Sequence, residues 1–192
     1  MNKPLWNRTT ISAIRNLDDP TGHSHIVSML DPEWPHPEQF EGWAQDRRVI
    51  LRFHDEIAPR ENRVLPDEAM VRALIAFGET MEAHDGDDAR LFIHCQSGMS
   101  RSTAGALILW AARHPDATGE ELFAALHAIR EGSWPNTLML SIADDLLVRR
   151  TSLADAAIPF FAHRLEENDD LRARMTKLRR VPDIERVDAL TA

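Results

Sequence analysis

Apolar side chains gather into four short runs up to position 94 of this 192-residue chain, with helically spaced stripes before the last of them and after it. Four runs read as strands, at residues 10–14, 25–30, 48–53 and 90–94. The best of them, HIVSML, VILRF and RLFIH, are nearly continuous in apolar character and do not alternate. Such runs expect cover on both faces, as parallel strands have. Between and after them the period changes. Met70, Ala73, Leu74, Phe77 and Met81 recur at helical spacing and predict a helix over 67–84, with acids at its start and His84 at its end to match the dipole. A second helix is predicted over 99–113, directly behind the fourth strand. Thr118 and Glu121 form a capping box opening a third through 130. A Pro135-Asn136 turn precedes a fourth over 137–150, and Ser152 with Asp155 caps a fifth that Pro159 is expected to kink. Residues 35–47 predict a short helix, and 172–192 a surface helix with a frayed end.

Strands alternating with helices, then helices alone, predict an α/β fold. The expected architecture is a central, mostly parallel sheet of four to five strands flanked by helices, with a helical C-terminal layer. The chain length suits one domain over 1–192, with a core of about 10–150 and a helical extension of about 151–192. Ligands of such sheets bind at the carboxyl edge of the strands.

Charge and composition narrow the function. Acids outnumber bases 31 to 22, for a net charge of −9, so a basic nucleic-acid footprint is not expected. One cysteine, Cys95, rules out an intrachain disulfide and fits a reducing compartment. The longest mostly apolar run, 104–112, falls far short of the ~20 residues a membrane helix needs. The opening MNKPLWNRTT carries no apolar signal-peptide core. These features predict a cytoplasmic protein with neither a membrane nor a nucleic acid as partner.

The chemistry concentrates in residues 91–105, LFIHCQSGMSRSTAG. A strand runs into His94-Cys95, a five-residue loop follows, and Arg101-Ser102 opens an apolar helix. A strand-to-helix turn with Gly98 at its middle can curl its backbone N–H groups toward one point, where the helix N-terminus adds partial positive charge. Arg101 adds a permanently charged planar fork suited to two phosphate oxygens. Cys95 lies at the base of this cradle, where a thiolate is favoured for the same reason an anion is. Cys95 alone would read as a buried core thiol, and Arg101 alone as a helix-start arginine. A cation at a helix N-terminus opposes the dipole, however, and so wants an anion to face.

HCQSGMSRS resembles the phosphate-binding loop of cysteine-dependent protein phosphatases, most of all the dual-specificity branch, and RFHDE upstream is similar to a bacterial group of predicted tyrosine phosphatases. The resemblance implies that Cys95 attacks phosphorus. Gln96, Ser97, Gly98, Met99, Ser100 and Arg101 would hold the phosphoryl oxygens, Ser102 would stabilise the thiolate, and His94 would support the loop. It implies no metal and no cofactor, because the loop supplies the positive charge. An aspartic acid must protonate the leaving oxygen. In the family it follows the strand before the one leading to cysteine, which here selects Asp55, with Asp31 and Glu56 as alternatives. Asp85, Asp87 and Asp88 precede the fourth strand and fall at the wrong edge. The segment from Arg130 to Asn136 keeps the family's Pro-Asn but lacks its Arg-Pro pair, so no role is assigned to this turn. The expected substrate is a phosphorylated protein or peptide, phosphotyrosine foremost, with phosphoserine and phosphothreonine open. The alternatives are a phosphatase for an inositol phosphate or nucleotide, and a catalytically weak phosphate-binding module.

Overall fold

The computed structural model describes residues 3–191. Its four strands are β1 (Thr9–Ala13), β2 (His25–Leu30), β3 (Arg48–Arg52) and β4 (Leu91–Cys95). They form one wholly parallel sheet in the order β1-β4-β2-β3. The inner strands β2 and β4 are buried at every residue, as their unbroken apolar runs demand. β3 does not share that burial, because it is an edge. Leu51 points into the core, while Ile50 is 37% exposed. The edge strand's arginines hold the neighbouring loop: Arg48 donates to the Phe40 carbonyl at 2.9 Å and Arg52 to the Trp34 carbonyl at 2.7 Å.

The period of two along the strands divides the sheet into two faces. Val27, Met29, Ile93 and Cys95 join the main core under the helices. Ile26 and Phe92 meet Phe40 in a smaller cluster on the other face, flanked by Leu17 and Trp43. The helices are α1 (Glu68–Asp85), α2 (Arg101–Arg113), α3 (Gly119–Ile129), α4 (Thr137–Leu146), α5 (Leu153–Glu167), α6 (Leu171–Lys177) and α7 (Val181–Thr191). α2 is apolar on every side from Ala104 to Ala112 and buried from Arg101 to Ala111, which makes it the central helix. Gly105 permits its approach to β2, since a Cβ there would come within 2.3 Å of the Met29 methyl.

Two expectations need correction. Residues 35–47 form no α-helix but two 3-10 turns, Glu38–Phe40 and Gln45–Arg47. Pro35 and Pro37 bias Trp34 and His36 toward extended backbone, and only Phe40 anchors the segment in the core. The C-terminal tail is not one frayed surface helix but two helices, α6 and α7, joined by a tight turn. Met175, Ile184 and Val187 are buried there, and so are the charged Arg180 and Asp183. α5 runs unbroken through Pro159, which is exposed, so the carbonyl its ring frees can turn to water. Among the described residues no helix is long and apolar enough to cross a membrane.

Candidate active site

β4 ends at Cys95 and α2 begins at Arg101, so the five residues between must reverse the chain in a small space. Gly98 makes this possible. Its φ is +63°, a left-handed conformation that side chains disfavour, and a Cβ there would meet the Ser12 carbonyl oxygen at 2.8 Å.

The carbonyls of Ser97, Gly98, Met99 and Ser100 are all engaged by other segments. Arg130 Nε donates to the Gly98 oxygen at 3.0 Å and Nη2 to that of Ser97 at 3.4 Å. The Trp134 N–H donates to the Met99 oxygen at 2.8 Å, and the Asn136 N–H to the Ser100 oxygen at 3.3 Å. Thr103 Oγ1 reaches the carbonyls of both Met99 and Ser100. Of the backbone N–H groups of residues 96–100, only that of Gly98 donates within the described residues, and its acceptor is Cys95 Sγ at 3.2 Å. With those carbonyls occupied, the N–H groups of Gln96, Ser97, Met99 and Ser100 are available to an anion. Ser102 Oγ lies 3.3 Å from the same sulfur, so the buried Cys95 has two polar neighbours of the kind that stabilise a thiolate.

Arg101 is clamped rather than free. Its Nη1 donates to Asp31 Oδ1 at 2.7 Å and to the Phe53 carbonyl at 2.5 Å, and its Nη2 meets the Gln96 side-chain oxygen. Asp31 ends the β2 side of the site and Phe53 the β3 side, so two strand ends fix one guanidinium.

Asp55 lies on the loop after β3, at the same edge. Its Oδ1 accepts three hydrogen bonds, from Ser100 Oγ at 2.7 Å, Asn136 Nδ2 at 2.9 Å and Arg180 Nη2 at 2.6 Å. Its Oδ2 receives no hydrogen bond among the described residues. Burial pushes the Asp55 carboxyl up, but Arg180, Arg101 and the bonds from Asn136 and Ser100 outweigh it and hold the group below its usual value. Glu56 is paired with Arg60 at 2.7 Å. Asp85 is held at the opposite edge by Arg47 at 2.5 Å.

The structure thus brings Cys95, residues 96–101, Ser102, Asp31 and Asp55 together. His94 points elsewhere, because alternation along β4 sends its side chain to the other face. There its Nε2 bonds Ser28 Oγ at 2.8 Å beside Phe40, and no bond to the loop is among its contacts. Burial first, then His36 nearby, lowers its pKa to about 4, so it is neutral. Asn136 joins the site through its side chain while its Oδ1 caps α4 by accepting from the Met139 N–H at 3.1 Å. The Pro-Asn pair was its only visible signal. Arg180 had none, being one arginine among twenty and far along the chain. Among the described residues no group of three or more His, Cys, Asp or Glu side chains could hold a metal ion.

No protein-family model matches the chain, and no curated protein matches it in sequence. Solved structures similar to it include human DUSP28, at 15% identity over 72% of this chain and 90% of that one, with a TM-score of 0.49. Tk-PTP in its active form shows 18% identity over 72% and 90%, with a TM-score of 0.48. The human tyrosine phosphatase-like serine/threonine/tyrosine-interacting protein shows 16% identity over 65% and 76%, with a TM-score of 0.49. Identities this low say nothing of chemistry, which rests on the site's own geometry.

Proposed function

We propose that the protein hydrolyses phosphate monoesters through a cysteinyl-phosphate intermediate, with phosphotyrosine in proteins or peptides as its substrate. The observation that carries this reading is the loop itself: the carbonyls of residues 97–100 are bonded to other segments, the N–H groups of Gln96, Ser97, Met99 and Ser100 have no acceptor among the described residues, that of Gly98 meets Cys95 Sγ, and Arg101 is clamped next to them.

In the first step Cys95 Sγ forms a bond to phosphorus as the ester P–O bond breaks, and the leaving oxygen takes the proton of Asp55. In the second, a water oxygen bonds phosphorus, the S–P bond breaks, the Asp55 carboxylate takes the water's proton, and the thiolate is restored with Ser102 beside it. The loop N–H groups and Arg101 meet charge on the equatorial oxygens throughout. The loop contains no lysine, which fits a protein monoester better than a highly charged small molecule. Trp34, exposed on the loop that starts at Asp31, offers an aromatic face for a phenyl ring.

Cys95→Ser tests the reading. The variant should bind tungstate, a phosphate analogue, about as tightly as the unaltered protein, because the N–H groups and Arg101 remain. It should lose turnover of an aryl phosphate entirely, and acid quenching should trap phosphorus on sulfur only in the unaltered protein. Unchanged turnover by Cys95→Ser would end the proposal.

A further inference from the structure

Arg180 reaches the site from the turn between α6 and α7, 80 positions beyond Ser100 in the chain. It is 2% exposed. Its Nη2 donates to Asp55 Oδ1 at 2.6 Å, to Ser100 Oγ at 2.9 Å and to the Asp55 carbonyl at 3.3 Å. Ser100 in turn donates to the same Oδ1. Arginine, hydroxyl and carboxylate therefore close a triangle that ties the carboxyl group to the phosphate-binding loop.

Several features place Arg180 there. Its N–H bonds the Met175 carbonyl at 2.9 Å and that of Arg179 bonds Thr176 at 3.0 Å, the two bonds of a Schellman turn. That turn puts Arg179 at φ +61°, where glycine is usual. Asp183, three residues on, is also buried and accepts from Trp134 Nε1 at 2.9 Å and Thr137 Oγ1 at 2.6 Å. The hairpin is thereby locked to the same 134–137 turn that braces the loop. A backbone strained to carry a charged group into an interior requires compensation, and such strain clusters at functional sites.

We infer that Arg180 is a positioning residue for Asp55: it fixes Oδ1 on Ser100, so that Oδ2 is the oxygen that carries the proton delivered to the leaving group. The inference rests on Asp55 being the acid of the proposed reaction. The chemistry follows from the count of donors. Oδ1 already accepts three hydrogen bonds, so a proton on the carboxyl group settles on Oδ2. Ser100 belongs to the loop that binds the phosphoryl group, so a carboxylate tied to Ser100 keeps one distance to the reacting ester. The charged groups facing Asp55 are Arg180 and Arg101, with Glu56 next in the chain and neutralised by Arg60. Loss of Arg180 therefore makes Asp55 easier to protonate and harder to aim.

The test uses the full chain and two esters, phenyl phosphate, whose leaving group needs a proton, and dinitrophenyl phosphate, whose leaving group does not. Arg180→Gln is expected to lower kcat/KM, which reports the step that forms the thiophosphate, about tenfold on phenyl phosphate and under about threefold on dinitrophenyl phosphate; kcat also contains the hydrolysis step common to both esters, so the comparison is made on kcat/KM. The basic limb of its kcat/KM profile should move to higher pH. Arg180→Lys, which keeps the charge, should recover part of the phenyl phosphate rate. In an Asp55→Asn background, Arg180→Gln should add less than about twofold. Equal losses on both esters, an unmoved limb, or a gain in turnover would overturn the inference. Should Arg180→Gln not fold, Arg180→Lys decides: a bias toward loss on phenyl phosphate supports the role, and equal or no loss on the two esters refutes it. Asp55→Asn itself separates the two claims. If it shows no leaving-group dependence, the acid assignment fails; if it does and Arg180→Gln does not, only the role of Arg180 fails.

Discussion

Arg101 is bound on several sides, and the proposed reaction asks the same side chain to meet a phosphoryl group. Asp31 and the Phe53 carbonyl take Nη1, which orients the fork before any anion arrives. Arg101→Lys keeps the charge but cannot make both contacts and still present two donors. A fall in kcat/KM of about 10²-fold or more is expected on either ester, the scale of a lost transition-state donor; a variant within about threefold would contradict the role. Asp31→Asn tests the clamp from the other side. It weakens the ion pair at 2.7 Å and should raise KM on both esters alike, with none of the leaving-group dependence expected of Asp55→Asn. The held-down Asp55 carboxyl also sets a sign for pH. Under the proposed mechanism the free protein reacts with this acid protonated, and its pKa lies below the usual value, so kcat/KM should fall as pH rises through and above the ordinary carboxylate range near 4.

Among the elements, the α6–α7 hairpin bears the clearest local cost. Arg179 is exposed and adopts φ +61°, and a non-glycine residue in the left-handed region loses roughly 1 kcal/mol. Arg179→Gly relieves it, offset in part by the greater freedom of glycine in the unfolded chain. The expected outcome is a gain of up to about 1 kcal/mol in unfolding free energy, read by urea titration, with activity unchanged. A loss of stability would mean that the Arg179 side chain makes a contact worth more than the backbone strain. The Thr118 cap of α3 behaves as the capping box predicts, with both reciprocal bonds present.

Across the whole molecule, the attachment of the C-terminal helices depends on a buried carboxyl. Burial raises the pKa of Asp183, and the bonds from Thr137 and Trp134 with the charges of Arg180 and Arg186 only partly oppose it. The native state therefore favours the protonated form more than the unfolded chain does. Below the unfolded value near 4 both states hold the proton and no penalty exists; as pH rises through the raised native value, stability is lost. Asp183→Asn removes the ionisation. Its amide oxygen can still accept from the indole while its nitrogen donates to the Thr137 hydroxyl, which can rotate to accept. The variant should unfold at a higher temperature than the unaltered protein at neutral pH, and that margin should shrink toward pH 4. Asp183→Ala, which orphans the buried indole N–H, should cost about 1–3 kcal/mol. An Asp183→Asn margin that does not change with pH would refute the titration.

What could be read along the chain was local. Four strands, five helices and the HCQSGMSRS loop follow from hydrophobic period, capping residues and one glycine, all properties of neighbouring positions. The carboxyl-edge placement of Asp31 and Asp55 also follows, since parallel strands put all their ends on one side. Other features come from contacts between distant segments, which leave no periodic trace. β3 is exposed on one face because the sheet order makes it an edge. His94 meets Ser28 because the two are register partners on the neighbouring strands β4 and β2 and so share one face of the sheet. Asn136 reaches Asp55 across 81 positions and Arg180 across 125. Such pairs are set by how helices stack on the sheet, and only the folded chain brings a C-terminal arginine to the acid of a loop formed before its middle.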